Sequence, residues 1–198
     1  MKHSVVGNSG RLDFLGYPMS QNEYALEAFD MLFKTVKPAR VIELGALNGG
    51  LTTFLGLYSL TAGCSVISYD IANSLFDKSV LDKLGVDMRF KDIFASDTLK
   101  EISDMIRQDG ITVLLCDNGN KIGEFNHFSQ FLKVGDIIMA HDYAPDMTFF
   151  NKEMRGKVWP CCEITENHIE ECSRRYLLRP LLADPFLQAA WVCKVKVA

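Results

Sequence analysis

Five short apolar segments alternate along the chain with longer segments of helical periodicity. The apolar segments cover residues 41–44, 64–70, 87–92, 112–117 and 136–142. Helical patterns occupy residues 20–36, 51–60, 79–84, 98–108 and 123–132. Strands that alternate with helices form parallel sheets, because each crossover helix returns the chain to the same edge. The pattern therefore predicts an α/β, doubly wound fold, with helices on both faces of a mostly parallel sheet.

The part of the chain after residue 142 departs from this alternation. A helical segment at residues 163–175 precedes two apolar runs, 177–182 and 188–197, which are separated by Pro185 and a short gap. Two such runs predict a C-terminal antiparallel hairpin, which raises the sheet to seven strands. No linker or repeat interrupts the sequence, so residues 1–198 are predicted to form a single domain, with a loose N-terminal arm at residues 1–19.

Composition restricts the class of protein without defining it. The chain has 198 residues, of which 48% are hydrophobic, and a net charge of −4. Its acidic balance gives no general attraction to nucleic acid or to an anionic membrane, and no apolar run approaches the ~20 residues of a bilayer span. The first ten residues lack the apolar segment of a secretion signal, and the scattered cysteines suit a reducing compartment. We therefore expect a cytoplasmic protein that binds neither nucleic acid nor membrane.

Each of the five predicted strands carries an acidic residue at or near its carboxyl end. These residues are Glu43, Asp70, Asp92, Asp117 and Asp142. In doubly wound sheets, ligands bind outside the carboxyl ends of the strands, so these acids should lie along one rim. A single acid there is commonly only a polar strand terminus, whereas five in succession indicate a binding site.

The first predicted strand leads into a glycine-rich turn at residues 45–50 (Gly-Ala-Leu-Asn-Gly-Gly) and then into a helix. Glycines allow close approach of a ligand to the backbone, and a helix N-terminus offers free N–H groups. The turn lacks the middle glycine of G-x-G-x-x-G and the Gly-Lys-Ser/Thr ending of a P-loop. Because Glu43 would repel a pyrophosphate here, the turn favours a cationic, hydroxyl-bearing ligand.

The pattern Glu43-x-Gly45-x-x-x-Gly49 resembles motif I of class I S-adenosylmethionine-dependent methyltransferases, and the likeness extends over most of the chain. The resemblance implies a cofactor whose sulfonium and amino groups suit an acidic pocket. It implies that Asp70 accepts hydrogen bonds from the ribose hydroxyls and that Asp92 reaches the adenine amino group. The full set of implied cofactor-binding residues is Glu43, Gly45, Gly49, Asp70, Ile71, Asp92, Ile93 and Asp117, with the two isoleucines flanking the adenine ring.

A closer resemblance is to the cephalosporin hydroxylase/macrocin O-methyltransferase group. It rests on residues 16–21 (Gly-Tyr-Pro-Met-Ser-Gln), on the glycine turn, and on residues 141–143 (His-Asp-Tyr) after the fifth strand. Related enzymes place a magnesium ion between the acids of the fourth and fifth strands, which implies Asp117 and Asp142 as metal ligands. The fourth strand departs from that group, because Asn120 stands where a histidine is expected.

These observations lead to the hypothesis of methyl transfer to an oxygen of a small molecule, with assistance from magnesium. His141 is the candidate general base, because an imidazole exchanges protons near neutral pH, and Asp142 is the second candidate catalytic residue. In such a displacement the protein acts mainly by aligning the acceptor, the methyl group and the sulfur. We also expect a homo-oligomer, since related enzymes often self-associate.

Alternatives stay open at this point. One is a cofactor-binding protein without transferase activity, which the departure at Asn120 favours; another is a nucleotide-dependent oxidoreductase or hydroxylase. A zinc site is also conceivable at Cys161, Cys162, His168 and Cys172. His168 and Cys172 would share a helix face, although the spacing matches no common zinc pattern.

Overall fold

A computed structural model describes residues 12–72 and 78–198, and its centre is a seven-stranded sheet flanked by helices. The strands are β1 (Leu12–Phe14), β2 (Tyr17–Met19), β3 (Arg40–Leu44), β4 (Ser65–Asp70), β5 (Asp87–Phe90), β6 (Thr112–Cys116), β7 (Ile137–Ala140), β8 (Tyr143–Ala144), β9 (Ile164–Thr165), β10 (Leu178–Pro180) and β11 (Val192–Lys196). The helices are α1 (Tyr24–Thr35), α2 (Gly50–Ala62), α3 (Lys78–Lys83), α4 (Ser96–Arg107), α5 (Lys121–Phe128), α6 (Met147–Phe149), α7 (Glu166–Arg175) and α8 (Ala183–Gln188). A 3-10 turn (Ser129–Phe131) follows α5, and a π-helical turn (Phe150–Met154) follows α6. None of the described helices has the length and apolar character needed to cross a membrane.

The strand order in the central sheet is β10-β11-β7-β6-β3-β4-β5. Neighbouring strands from β7 to β5 run parallel, whereas β11 is antiparallel to both β7 and β10. Within this sheet the chain passes first through the central strand β3, then outwards through β4 and β5, and then back to β6 on the other side of β3. The topological switch point therefore lies between β3 and β6. This architecture confirms the predicted fold class, including the C-terminal antiparallel hairpin.

Hydrophobic cores cover both faces of the sheet, which explains why its strands are apolar without alternation. Along β3, Val41 belongs to one core, and Ile42 and Leu44 belong to the other. The first core includes residues of α1, α2, α3 and α8, and the second includes residues of α4, α5 and α7. Helices thus pack on both faces and leave the carboxyl ends of the parallel strands as the open edge.

The described part of the predicted N-terminal arm is a β-hairpin, which corrects the expectation of a loose segment. Strands β1 and β2 pair antiparallel, and Leu12, Phe14 and Met19 are buried in the first core. In both strands buried and exposed residues alternate, so that the pair buries one face against the domain. Residues 1–11 of the predicted arm lie outside the described residues.

Candidate functional site

A cavity of about 550 Å³ opens at the carboxyl ends of β3, β4, β6 and β7, on both sides of the switch point. Its volume lies in the range of small-molecule sites. The lining consists of residues 18–21, 45–48, 50–51, 117–119 and 159–161, together with Asp70, Lys121, His141 and Asp142. The structure therefore brings together three of the five acids that the sequence places on the rim.

The composition of the glycine turn is set by the protein segments that pack against it. Gly45 has a φ of +99°, and a Cβ atom there would lie 2.4 Å from the carbonyl oxygen of Asp117. At Gly50, a Cβ atom would lie 2.5 Å from the Cβ atom of Met19 in the hairpin. Gly49, the N-cap of α2, has a φ of +83° and is not among the lining residues. The glycines thus let the end of β6 and the hairpin close on the turn, and so form two walls of the cavity.

Glu43 lies beneath the turn and does not face the cavity, contrary to the expectation from sequence. The side chain is fully buried, and Oε2 accepts hydrogen bonds from the hydroxyls of Thr52, at 2.6 Å, and Ser68. Within the described ranges, Oε1 has no hydrogen-bond partner. Burial raises the pKa of Glu43 to about 7, although the two hydroxyl donors oppose the shift. Its direction follows from the alternation of the strand, which turns residue 43 toward α2.

Asp70 ends β4 and lines the cavity beside the glycine turn. Its Oδ2 accepts a hydrogen bond from the backbone N–H of Leu47 at 2.8 Å, and its Oδ1 accepts one from the N–H of Ala72 at 2.9 Å. Leu47 has a left-handed φ of +48°, so the turn is held in a sparsely populated conformation here. Because a carboxylate oxygen accepts more than one hydrogen bond, Asp70 retains capacity for hydroxyl groups of a ligand.

Three other residues predicted to bind the cofactor are absent from the lining of the cavity. Ile93 is buried in the second core, and Ile71 is 66% exposed. Asp92 is exposed, and its Oδ1 accepts a hydrogen bond from the N–H of Phe94. Residues 73–77, which follow Ile71 closely, lie outside the described part of the chain. The adenine assignments of Ile71, Asp92 and Ile93 stay predictions.

Asp117, directly after β6, is held by a chain of hydrogen bonds. Nε2 of Gln21 donates to its Oδ2, and Nδ1 of His141 lies 3.1 Å from its Oδ1. The indole N–H of Trp191 donates to Oε1 of Gln21 at 2.8 Å, which fixes the orientation of the amide because an indole only donates. Gln21 ends the segment 16–21 that carries the closer resemblance, but its contact with Asp117 and the role of Trp191 were not predicted, since contacts between distant segments leave no periodic signal. The chain of bonds orients the Asp117 carboxylate at the edge of the cavity.

Asp142 follows β7 with a left-handed φ of +57°, a conformation that aspartate tolerates better than most residues. Its Oδ1 accepts hydrogen bonds from the indole N–H of Trp159 and from Sγ of Cys161, and its Oδ2 lies 2.8 Å from Nζ of Lys121. Burial disfavours the charged carboxylate, but His141, Lys121 and the indole donor outweigh that effect and lower the pKa of Asp142. Asp142 is therefore ionised at neutral pH.

Lys121 supplies a cation that the sequence analysis missed. Its ammonium lies 2.8 Å from Oδ2 of Asp142, 2.9 Å from Oε2 of Glu163, 3.1 Å from the carbonyl oxygen of Asn118 and 3.6 Å from Oδ1 of Asp117. Burial opposes the charged form, yet the neighbouring carboxylates raise the pKa of Lys121 above its ordinary value. Lys121 begins α5, where its charge opposes the helix dipole, and that unfavourable position is the sequence signal available.

The structure groups Asp117, His141 and Asp142 so that one potential ligand atom from each lies within 4.8 Å of the others. Magnesium prefers an octahedral set of oxygen ligands, whereas this group includes an imidazole. The ammonium of Lys121 already contacts both carboxylates, and its charge would repel a divalent cation at that position. The residues as arranged do not fit a magnesium ion.

His141 lines the cavity, although its side chain is only 3% exposed. The rings of Trp159 and Trp191 each pack with centroids 4.8 Å from the imidazole. Nε2 is buried and has no hydrogen-bond partner in the described part of the chain. The tautomer that donates from Nδ1 to Asp117 leaves only a lone pair unsatisfied at Nε2, which costs less than a buried unpaired N–H. His141 therefore carries its basic lone pair on an enclosed nitrogen.

The residues of the conceivable zinc site are used elsewhere. His168 accepts a hydrogen bond through Nδ1 from the backbone N–H of Thr165 at the start of α7. Cys172 is buried in the second core, and Cys161 contacts Asp142. Among residues 12–72 and 78–198, these cysteines and His168 do not come together as a metal-ligating group.

The fold and the cavity together define a class of protein. A seven-stranded sheet with a C-terminal antiparallel hairpin, a glycine turn at a helix N-terminus and an acid at the end of the next strand characterise class I S-adenosylmethionine-dependent methyltransferases. The model of the family described as FtsJ-like methyltransferase matches residues 21–176. The chain therefore belongs to the FtsJ-like methyltransferase family.

Solved structures share this fold along most of the chain. The structure of CmcI-N160 with SAH has a TM-score of 0.68 at 15% identity, and the match covers 100% of this chain and 89% of that chain. CmcI-D160 with Mg and SAM has a TM-score of 0.67 at 14% identity, covering 94% and 76%. The O-methyltransferase from Bacillus cereus in complex with SAH has a TM-score of 0.54 at 13% identity, covering 88% and 82%. No curated protein matches the sequence. At these identities the structures establish a shared Rossmann-like methyltransferase fold.

Proposed function

We propose that the protein transfers a methyl group from S-adenosylmethionine to a hydroxyl oxygen of a small molecule. The observation that carries the proposal is the two-sided lining of the cavity. The glycine turn and Asp70 lie on one side, and Asp117, His141 and Asp142 lie on the other. The first set suits a methyl donor and the second suits a hydroxyl acceptor. Both sides open into one space, as direct transfer between two ligands requires.

The donor side fits S-adenosylmethionine, which supplies a methyl group activated on a sulfonium. Asp70 accepts hydrogen bonds from the ribose hydroxyls, and the backbone at Gly45 and Asp117 faces the methionine portion. Glu43 and Gly49 act from behind this wall by shaping the turn. The basic side chains among the lining residues are Lys121 and His141, and both already contact carboxylates. A pyrophosphate would thus meet no free cation there, which argues against a nucleotide-dependent oxidoreductase.

On the acceptor side, the Asp117 carboxylate accepts a hydrogen bond from the acceptor hydroxyl and orients it. His141 takes the proton as general base. Because Nε2 is enclosed, proton transfer to it requires a movement of the side chains packed around the imidazole. Asp117 and Asp142 lie 3.1 Å and 3.7 Å from Nδ1 and stabilise the positive charge that the imidazole gains. Magnesium forms no part of this proposal, because the residues do not fit it.

Calorimetric titration with S-adenosylmethionine and with NADH tests the donor side. We expect the first to bind and the second not to bind. Asp70→Ala should weaken binding of S-adenosylmethionine by about 10–100-fold, the effect of losing hydrogen bonds to a charged group. Asp30→Ala is the matched control, because it removes an exposed acid of α1 that pairs with Lys34 and does not line the cavity. Equal losses in the two variants would contradict the assignment of Asp70.

Turnover with phenols, sugars and macrolides tests the acceptor side, with a ribo-oligonucleotide as a different substrate class. We expect methyl transfer to a small hydroxyl compound, and loss of turnover with retained cofactor binding in His141→Ala. Methylation of the oligonucleotide alone would refute the small-molecule assignment. Cofactor binding without any transfer would instead favour a non-catalytic binding protein. The cytoplasmic location and homo-oligomer formation stay predictions from the sequence.

A further inference from the structure

We propose that Lys121 takes the place of a divalent cation between Asp117 and Asp142, so that the acceptor side of the cavity is neutralised by the chain itself and binds no magnesium. This inference deepens the proposed function, because it states what holds the acids beside the acceptor. It concerns binding of a cation, and it is therefore tested without an acceptor and without turnover.

The surroundings of the Lys121 ammonium have the composition of a site for a hard cation. Its four neighbours are all oxygen atoms, three from carboxylates and one from a backbone carbonyl. Such oxygens are the ligands that magnesium and calcium prefer in proteins. The ammonium has three N–H donors, which match the three nearest oxygens, those of Asp142, Glu163 and Asn118. The cation position is thus occupied by a group tethered to α5.

Charge and burial both oppose displacement of the Lys121 ammonium by a metal ion. Three carboxylates face one ammonium, and the Lys121 side chain is only 6% exposed. Without a cation, the negative charges of Asp117 and Asp142 would repel each other in a poorly solvated place. A metal ion would have to displace the ammonium from Asp117 and Asp142, and separating a buried charge from its partners is strongly unfavourable. Lys121 therefore excludes a divalent cation by occupying its position with like charge.

The local sequence places the lysine there. Asn120 caps α5, and its side-chain oxygen accepts a hydrogen bond from the backbone N–H of Gly123 at 3.0 Å. This cap starts the helix at Lys121, four residues after Asp117, so that the ammonium turns back to the end of β6. Asn120, which stands where the resemblance predicts a histidine, thus fixes the start of α5 that places the Lys121 ammonium beside the carboxylates.

Binding of Mn²⁺, followed by electron paramagnetic resonance of the free ion, tests the proposal on the full-length protein. We expect weak binding to the parent and binding at least about tenfold tighter to Lys121→Ala, which removes the charge and frees the oxygens. Lys152→Ala is the matched control, because it removes an equal charge from an exposed lysine whose ion pair is with Glu153. That variant should bind Mn²⁺ as the parent does.

Two results would overturn the proposal. The first is a folded Lys121→Ala variant that binds Mn²⁺ no better than the parent. The second is tight binding to the parent that is lost in Asp142→Asn, which would place the ion at the carboxylates despite the lysine. If Lys121→Ala does not fold, the comparison of Mn²⁺ binding between the parent and Asp142→Asn decides alone. Weak binding of Mn²⁺ to the parent, unchanged in Asp142→Asn, would then support the proposal. Failure of methyl transfer would leave all of these measurements intact.

Discussion

Replacement of Gly45 by alanine tests how closely the end of β6 is held against the glycine turn. A Cβ atom at this position would lie 2.4 Å from the carbonyl oxygen of Asp117 and 2.7 Å from its carbonyl carbon. Real Cβ atoms essentially never approach below 3.0 Å, so the backbone must yield by at least about 0.6 Å. Both obstructing atoms belong to the main chain, so no side-chain rotation can relieve the contact.

Two costs combine in this variant. The φ of +99° strains any residue with a side chain, at about 1–2 kcal/mol. The displaced backbone adds about 1–3 kcal/mol, the usual cost of overpacking. We therefore expect the free energy of unfolding to fall by about 2–5 kcal/mol. Because Asp117 moves relative to Asp70, we also expect binding of S-adenosylmethionine to weaken by about tenfold, since shifts approaching 1 Å impair aligned sites.

Urea unfolding and calorimetric titration of S-adenosylmethionine measure the two effects separately. Gly63→Ala is the matched control, because Gly63 has a φ of +69° and an added Cβ atom there would meet nothing within 4 Å. Gly63 is the C-cap of α2, the helix that begins at the end of the glycine turn. Its replacement by alanine therefore causes the backbone strain without the steric overlap. We expect a loss of about 1–2 kcal/mol and unchanged binding in the control. Equal stability losses in both variants, with binding unchanged, would refute the argument that Asp117 constrains residue 45.

Two further sets of substitutions test separate contacts. The pKa of Glu43 is about 7 in the folded protein against 4.5 as its ordinary value, so the folded state keeps a proton that the unfolded state releases. Stability should fall by about 3 kcal/mol as the pH rises from about 4.5 to about 7, and Glu43→Gln should remove that fall from urea unfolding curves; a parent-like pH profile would contradict this. Trp159→Phe deletes a donor to the charged Asp142, at about 1.5–3 kcal/mol, whereas Trp191→Phe deletes a donor to the neutral Gln21, at about 1 kcal/mol. Both substitutions also remove volume from a buried indole, so the Trp159 bond is isolated in a double-mutant cycle with Asp142→Asn. A coupling energy below about 0.5 kcal/mol would show that the Asp142 bond is not charge-assisted.

The sheet was predictable because its strands and helices alternate and the crossovers between parallel strands have one favoured hand. Few topologies remain under that constraint, and all of them bring the carboxyl ends of the central strands together. Asp70 ends one of those strands, and Gly45, Asp117, His141 and Asp142 follow the others within two residues. The strand order alone therefore predicts that these residues line one cavity, without any knowledge of side-chain contacts.

The remaining features depend on contacts that no local pattern encodes. Glu43 lies just before the turn in sequence. Successive residues of a strand point to opposite faces, and residue 43 points to a covered face, so its carboxylate is buried. Lys121 meets Glu163 across 42 residues of sequence, and Trp159 reaches Asp142 from an irregular segment. The position of the Lys121 ammonium between the carboxylates could thus be recognised only in the folded structure, and not from the spacing of residues in the chain.

The hairpin of β1 and β2 lies before the segment that the family model matches, yet Pro18 and Met19 form part of the cavity wall. Leu12, Phe14 and Met19 of the same hairpin are buried in the first core, so this wall of the cavity is anchored to the domain. A change of side chain at position 19 therefore alters the cavity and the core together. The hairpin can hold this place only while position 50 is glycine, because an added Cβ atom there would lie 2.6 Å from the carbonyl oxygen of Pro18 and 2.7 Å from the Cα atom of Met19.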